Sequence, residues 1–409
     1  VIKKIAKNDL SFFKRNPDVV YLDSAATALT FERYFTSLAA CAAEGFTTVH
    51  RGAHQFSDKT TVAYENARMQ FADAHNVFPQ EIVFTSGTTG ACNQVAWSWG
   101  MQHLKAGDEV LVSVFEHHSS YLPWLRVAQE KGAAIRWVYP DAQILAWQLD
   151  DFVFSPQAKV LVVAAYSNVC GPVWQSKELL KQVIQKAHEN NVCVVLDGAQ
   201  QAPFEMVDLR ELNPDFYMYS AHKMCGPQGV GVLFVNQATQ SQLSPALVGG
   251  GTVRFVMADD AEFRDDARAF EAGTPPVLPI IAWSNVREWY AAQIDTKLQQ
   301  QQLAELMSMV IDEASSVSGV RVLGNEVLLR SAGHLISLVV DDVHAHDIAD
   351  LLNDQNIIVR AGLMCAQPLH EFLGVSASLR VSVHWYSTHE DIKQFCSVFK
   401  TAVDRLRRV

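Results

Sequence analysis

No apolar run in the 409 residues approaches the roughly 20 needed to cross a bilayer; the longest, VLVVAAY at 160–166, is far too short. A membrane span is therefore not expected. No C-x-x-C pair occurs either. The seven cysteines (41, 92, 170, 193, 225, 365 and 396) are odd in number and far apart, which argues against a disulfide framework and a thiolate zinc site. A reducing, cytoplasmic setting and no metal are the expectation. The segment 1–18, VIKKIAKNDLSFFKRNPD, is interrupted by polar residues throughout and lacks the apolar stretch of a secretory signal. Positive charge is also in short supply. Lys and Arg number 33 against 44 Asp and Glu, and the net charge of -11 repels phosphate backbones and anionic surfaces, so neither nucleic acid nor membrane is an expected partner. Finally, G-x-x-x-x-G-K-[ST] is absent, and the glycines at 226, 229 and 231 do not have the G-x-G-x-x-G spacing. The P-loop and dinucleotide readings both fail.

What is present is a chain long enough for two or three domains, with 49% hydrophobic residues to build a core. Between about 81 and 235, β-branched runs alternate with helical stretches: EIVFTS, DEVLVSV, KVLVVAAY, VCVVLD, DFYMYS and GVGVLFV. This alternation predicts an α/β fold with a mixed, mostly parallel sheet flanked by helices. Ligands in such sheets sit beyond the carboxyl ends of the strands, so the residues after each run matter most. After about 284 a long Gln-rich helical stretch leads into strands near HLISLVV, IIVR and LRVSV and helices near HDIADLLND and HEDIKQFCSVFKTAVDRL. This reads as a smaller C-terminal α+β domain. The expected division is 21–284 for a large cofactor-binding domain, with 1–20 and 285–409 forming the small one. The four glutamines at 299–302 read as a solvated helix face.

Two strand ends point to a cofactor. Asp197 closes VVLD, and Lys223 follows DFYMYS and Ser220-Ala221-His222. A carboxylate and an amine so placed are the parts a pyridoxal phosphate site needs: the amine for a Schiff base, the acid to keep the pyridine nitrogen protonated. EIVFT is followed by Ser86-Gly87-Thr88-Thr89-Gly90 and then a helix, which offers N–H groups and hydroxyls to a phosphate.

Nine segments then carry a specific resemblance: YLDSAATAL, VHRGAH, SGTT, EHHSSYLPW, SNVCG, VLDGAQQAP, SAHKMCGPQGVGVLF, EAGTP and RAGLMCAQPL. In this order they resemble the cysteine desulfurases of the class V aminotransferase family, and within them the SufS/CsdA branch. That resemblance implies a pyridoxal-phosphate-dependent enzyme converting L-cysteine to L-alanine, with sulfur passing to a cysteine as a persulfide and on to a thiol acceptor. It implies Lys223 as the Schiff-base lysine, Asp197 as the pyridinium partner and Gln200 as donor to the ring's phenolic oxygen. Thr88, Ser220 and His222 correspond to phosphate ligands. His117 corresponds to the imidazole stacked on the ring, able to exchange a proton with the substrate sulfur; His118 reads as structural. Asn168 matches a residue near the ring oxygen and the substrate carboxylate, and Arg380 the arginine that clamps that carboxylate. Thr274 resembles the threonine given across a homodimer interface to the neighbouring phosphate.

Cys365 matches the sulfur-accepting nucleophile, in a loop near Arg360, whose charge favours a thiolate. Three departures stand out. Leu363-Met364 precede Cys365 where the branch usually has histidine, Gly90-Ala91-Cys92 replaces Glu-Ser-Ile, and Tyr386-Ser387-Thr388 replaces Tyr-Asn-Thr. The rivals are a selenocysteine lyase acting on L-selenocysteine, another lyase or transaminase of the family, and, outside enzymes as such, a sulfur-transfer assembly component dependent on a SufE-like acceptor. Iron–sulfur assembly is one route such a component serves.

Overall fold

A computed structural model describes residues 7–408. Among them, seven strands form the main sheet: β1 (Ile82–Thr85), β2 (Glu109–Ser113), β3 (Ala134–Val138), β4 (Ala158–Ala164), β5 (Cys193–Asp197), β6 (Phe216–Ser220) and β7 (Gly231–Val235). Their spatial order is β1-β7-β6-β5-β4-β2-β3. Only β7 runs against its neighbours. Every residue of β5, β6 and β7 is buried, as expected of strands covered on both faces. The six runs read from sequence are all strands here. β3 was not among them: AIRWV is an edge strand with exposed and half-exposed positions, so it lacks the continuous apolar run of its neighbours.

The helices α1 (Gln55–Ala74), α2 (Thr88–Val95), α3 (His118–Lys131) and α4 (Lys177–Glu189) belong to this layer. α4 starts where Ser176 Oγ accepts from Leu179 N, and buries Leu180, Val183, Ile184 and Ala187 along one stripe. A second, antiparallel sheet has the order β8-β9-β11-β10, with β8 Val320–Leu323, β9 Leu335–Val340, β10 Arg360–Gly362 and β11 Ser378–Ser382. The N-terminal segment joins it. Val20–Tyr21 pairs with Ile357–Ile358, and Asp23 bridges to Ser382.

The Gln-rich stretch is helical but not continuous. Val277–Gln293 (α5) ends before Asp295, whose side chain caps Lys297 and Leu298 at the start of Thr296–Ser315 (α6). Residue 284 thus falls inside α5. The expected solvated glutamine face is only partly so: Gln299 is buried, and Gln302 donates to Ser387 O at 2.9 Å. Cys365 is exposed and the other six cysteines are buried, and no helix among the described residues is long and apolar enough to cross a membrane.

One buried ion pair anchors the segment that carries Thr274. Arg68 on α1 grips Glu271 with Nη1 to Oε1 at 2.7 Å and Nη2 to Oε2 at 2.9 Å. Phe84 N and Tyr64 Oη donate to the same carboxylate at 2.7 and 2.9 Å. Removing one partner strands a buried charge, so Glu271→Ala should cost about 3–5 kcal/mol, read as a lowered denaturant midpoint. An unchanged midpoint would show that the pair contributes nothing net.

Candidate active site

The parallel strands deliver their carboxyl ends to one crevice, a cavity of about 260 Å³. Lys223, Asp197, Gln200, Asn168, His117 and Cys365 all line it, as do Thr88, Ser220, His222 and Arg380. Of the residues given a catalytic or binding role from the sequence, Thr274 alone does not line it. Thr274 is exposed, next to Gly273, whose N–H bonds Gly250 O at 2.8 Å.

At the end of β1, Gly87 takes φ +129°, a conformation that L side chains rarely adopt, and opens α2. Gly231 faces it across the β7 pairing, where a Cβ would meet Gly87 Cα at 2.5 Å; only glycine fits. This brings Ser220 Oγ to 2.8 Å from both Thr88 N and Thr88 Oγ1. Hydroxyls and a helix N-terminus therefore share one corner, with His222 nearby. Burial, helped by Lys223, pushes the His222 imidazole down to about 4, so it is neutral there.

Across the crevice, Asp197 accepts from Ser120 Oγ at 2.5 Å and from Ala199 N at 2.8 Å. Burial pushes the Lys223 amine down to about 8; Asp197 pulls it upward, while Arg380 and Arg360 add to the fall. His117 caps α3, its Nδ1 accepting from Ser119 N at 3.0 Å and lying 2.9 Å from Ser119 Oγ. Its proton is thus on Nε2. Burial, then the Lys223 charge, lower it to about 3, so His117 is a neutral imidazole across the working range.

The third side is a knot of charges. Asp23 accepts from Arg360 Nε and Nη2 at 3.1 and 2.9 Å, and from Arg380 Nη2 at 3.2 Å. Arg380 Nη1 holds Asn168 O at 3.0 Å. Burial, opposed by Asp23 and reinforced by Arg360, lowers Arg380 to about 10, still charged at neutral pH. Two guanidinium groups against one carboxylate leave one positive charge in excess. Among the described residues Arg380 Nε and Asn168 Oδ1 are buried without a hydrogen-bond partner.

Cys365 is exposed and shares the cavity wall with Arg360. Met364 and Cys365 have φ of +50° and +54°, two successive non-glycine residues in the left-handed region, each costing about 1–3 kcal/mol. The turn is held from outside: Asn168 Nδ2 donates to Met364 O at 2.6 Å, His118 N to Cys365 O at 2.8 Å, and Gln367 N to His118 Nε2 at 3.3 Å. His118 thus has a structural place, as expected. Asp23 and Ser120 had no role in the sequence reading, and Arg360 was read only as a neighbour of the thiol. Their positions within YLDSAATAL, EHHSSYLPW and RAGLMCAQPL were the only signal available.

The donor set fits a phosphorylated pyridine aldehyde: hydroxyls at a helix start for the phosphate, a carboxylate for the ring nitrogen, and an amine of lowered proton affinity for the aldehyde carbon. The chain belongs to the aminotransferase class-V family, whose profile matches residues 20–395. It is 36% identical over 394 residues to a probable cysteine desulfurase of Vibrio cholerae, covering 96% of this chain and 95% of that one. The cysteine desulfurase CsdA of Escherichia coli superposes with a TM-score of 0.85 at 32% identity, over 98% of this chain and 97% of its own. A cysteine desulfurase of Thermococcus onnurineus NA1 gives 0.89 at 30% identity over 99% of both.

In cofactor-free protein the neutral fraction of Lys223 grows as pH rises through about 8. Labelling by an amine-selective reagent, followed by mass spectrometry of the Lys223 peptide, should reach half its maximal rate near that pH. Asp197→Asn removes the largest charge holding the amine protonated and should move the midpoint lower. A midpoint near the ordinary lysine value of about 10.4 would contradict this account of the site.

Proposed function

We propose that this chain is a pyridoxal-phosphate-dependent cysteine desulfurase that converts L-cysteine to L-alanine and retains the sulfur as a persulfide on Cys365. The observation that carries this is the exposed Cys365, on a rigidly held turn, in the same cavity as the Lys223 amine and the Asp197 carboxylate. Pyridoxal phosphate, when bound, supplies an electron sink for the pair left on the substrate Cα.

The residues do the rest. Thr88, Ser220 and His222 hold the phosphate, Asp197 the pyridine nitrogen and Gln200 the phenolic oxygen. Arg380, with Arg360, receives the substrate carboxylate, which balances the excess positive charge of the knot. Lys223, poised near neutral pH, removes the Cα proton. His117, neutral with its proton on Nε2, donates that N–H as a hydrogen bond to the substrate sulfur. The Cys365 thiolate attacks that sulfur: an S–S bond forms, the substrate C–S bond breaks, and protons return to Cβ and Cα. L-Cysteine and the enzyme thiol thus become L-alanine and the enzyme persulfide, with every atom accounted for.

Incubation with L-cysteine should yield alanine and a Cys365 peptide heavier by one sulfur. Cys365→Ala should abolish turnover of L-cysteine; full activity in that variant would sink the reading. L-Selenocysteine turnover surviving the substitution would place a lyase route beside it. The persulfide sulfur passes to a thiol acceptor, a SufE-like protein serving iron–sulfur cluster assembly in the cytoplasm.

The working unit is a homodimer in which Thr274 completes the neighbouring phosphate site. A second cavity, about 680 Å³, reaches Thr88, Ser220 and His222 from the outer side and runs to Leu247. Beyond it Leu247, Val248, Phe255, Val256 and Met257 are exposed, apolar side chains that a second copy would cover. Sedimentation should show a dimer. Thr274→Ala should leave it dimeric while weakening cofactor affinity by roughly tenfold, the worth of one hydrogen bond to a charged group. A monomeric, fully active protein would refute the shared site.

A further inference from the structure

Gln200 is held at both ends of its amide. Its Nε2 donates to Ala25 O at 2.9 Å, and Ala25 is itself fixed by Ser382 Oγ, 2.9 Å from Ala25 N. A carbonyl oxygen only accepts, so the amide nitrogen must be the atom that faces it. The amide oxygen is then left opposite His334 Nε2, at 3.2 Å. An oxygen needs a donor, which requires His334 to carry its proton on Nε2. The other ring nitrogen agrees: Nδ1 is buried and has no hydrogen-bond partner among the described residues, tolerable for a bare acceptor and costly for an N–H.

His334 is built to stay in that state. It is 1% exposed, immediately before β9, and its backbone carbonyl accepts from Val383 N at 2.8 Å. The ring lies between Phe204 and Tyr166, with centroids 4.2 and 5.9 Å away. Burial, with His384, Arg380 and Lys223 acting in the same direction, keeps its pKa well below the ordinary histidine range. The ring is neutral and packed against aromatic neighbours.

We propose that His334 is a positioning residue whose Nε2–H locks the Gln200 amide, so that the second Nε2 hydrogen of Gln200 is presented to the cavity as a fixed donor. This deepens the functional reading above and rests on its placement of the phenolic oxygen at Gln200. His334 touches neither substrate nor cofactor; it acts through Gln200 on the charge state of the bound cofactor's phenolic oxygen.

The test uses purified holoprotein and the near-visible absorbance of the bound cofactor, titrated with pH. Gln200→Ala should move the titration midpoint by roughly one pH unit, the size of one hydrogen bond to a charged oxygen. His334→Leu, which removes the donor, should move it in the same direction, and should add nothing in the Gln200→Ala background. His334→Gln, which offers an amide N–H at similar reach, should restore the wild-type midpoint. If His334→Leu leaves the midpoint unchanged, or shifts it equally with and without Gln200, the proposal is overturned. No shift in Gln200→Ala also overturns it, while persulfide formation on Cys365 by the unaltered protein would leave the function standing. Should the leucine chain not fold, nitrogen-15 spectra of histidine-labelled wild-type holoprotein decide, with His334 assigned by its loss in His334→Gln. Protonated Nε2 and bare Nδ1 support the lock, and the opposite tautomer refutes it.

Discussion

The Asp23 carboxylate is the constraint on which the site's geometry depends. It sits in the N-terminal segment, yet it binds Arg360 from β10 and Arg380 from β11, and Arg380 reaches on to the Asn168 carbonyl beyond β4. Three parts of the chain meet there, and the two sheets are fixed relative to each other at the point where chemistry is needed. Such buried charges are poor sources of stability, since desolvation offsets most of their attraction. Their worth here is positional: they hold Arg360 and Arg380 at the wall of the cavity that Lys223 also lines.

Around that knot the fold separates tasks by dielectric environment. The crevice lowers the proton affinity of three nitrogen bases, Lys223, His117 and His222, chiefly through burial, while leaving Arg380 charged. The consequence is one fixed cationic corner beside two neutral imidazoles, with Lys223 the base whose proton equilibrium lies nearest neutral pH. Asp197 and Lys223 face each other as acid and amine, and the balance between attraction and burial leaves the amine reactive.

The strands that carry this arrangement were legible because continuous β-branched runs bury on both faces, and strand-end residues such as Asp197 and Lys223 stand out against them. Thr88 was found through a local motif, a capped helix start, whereas His117 came only from the family resemblance. What escaped was long-range or contrary to composition. Asp23 and Arg360 pair across 337 positions, and no local pattern links them. The β3 edge strand mixes Arg136 with apolar residues and lacks a pattern of its own. Gln299 is buried although a glutamine run reads as solvated, because packing of α6 overrides the usual preference of that side chain. The break at Asp295 is a capping event that the helical periodicity on either side conceals.

In the proposed reaction, the turn at Met364 and Cys365 governs how sulfur leaves the site. Its backbone is secured on two sides by Asn168 and His118, so the cysteine is a stationary berth and not a swinging arm. Rotation about the side-chain bonds is the only travel left to a sulfur bound there, a few ångströms at most. Whatever receives it must bring its own thiol to the mouth of the cavity, so the reach in the handover belongs to the recipient.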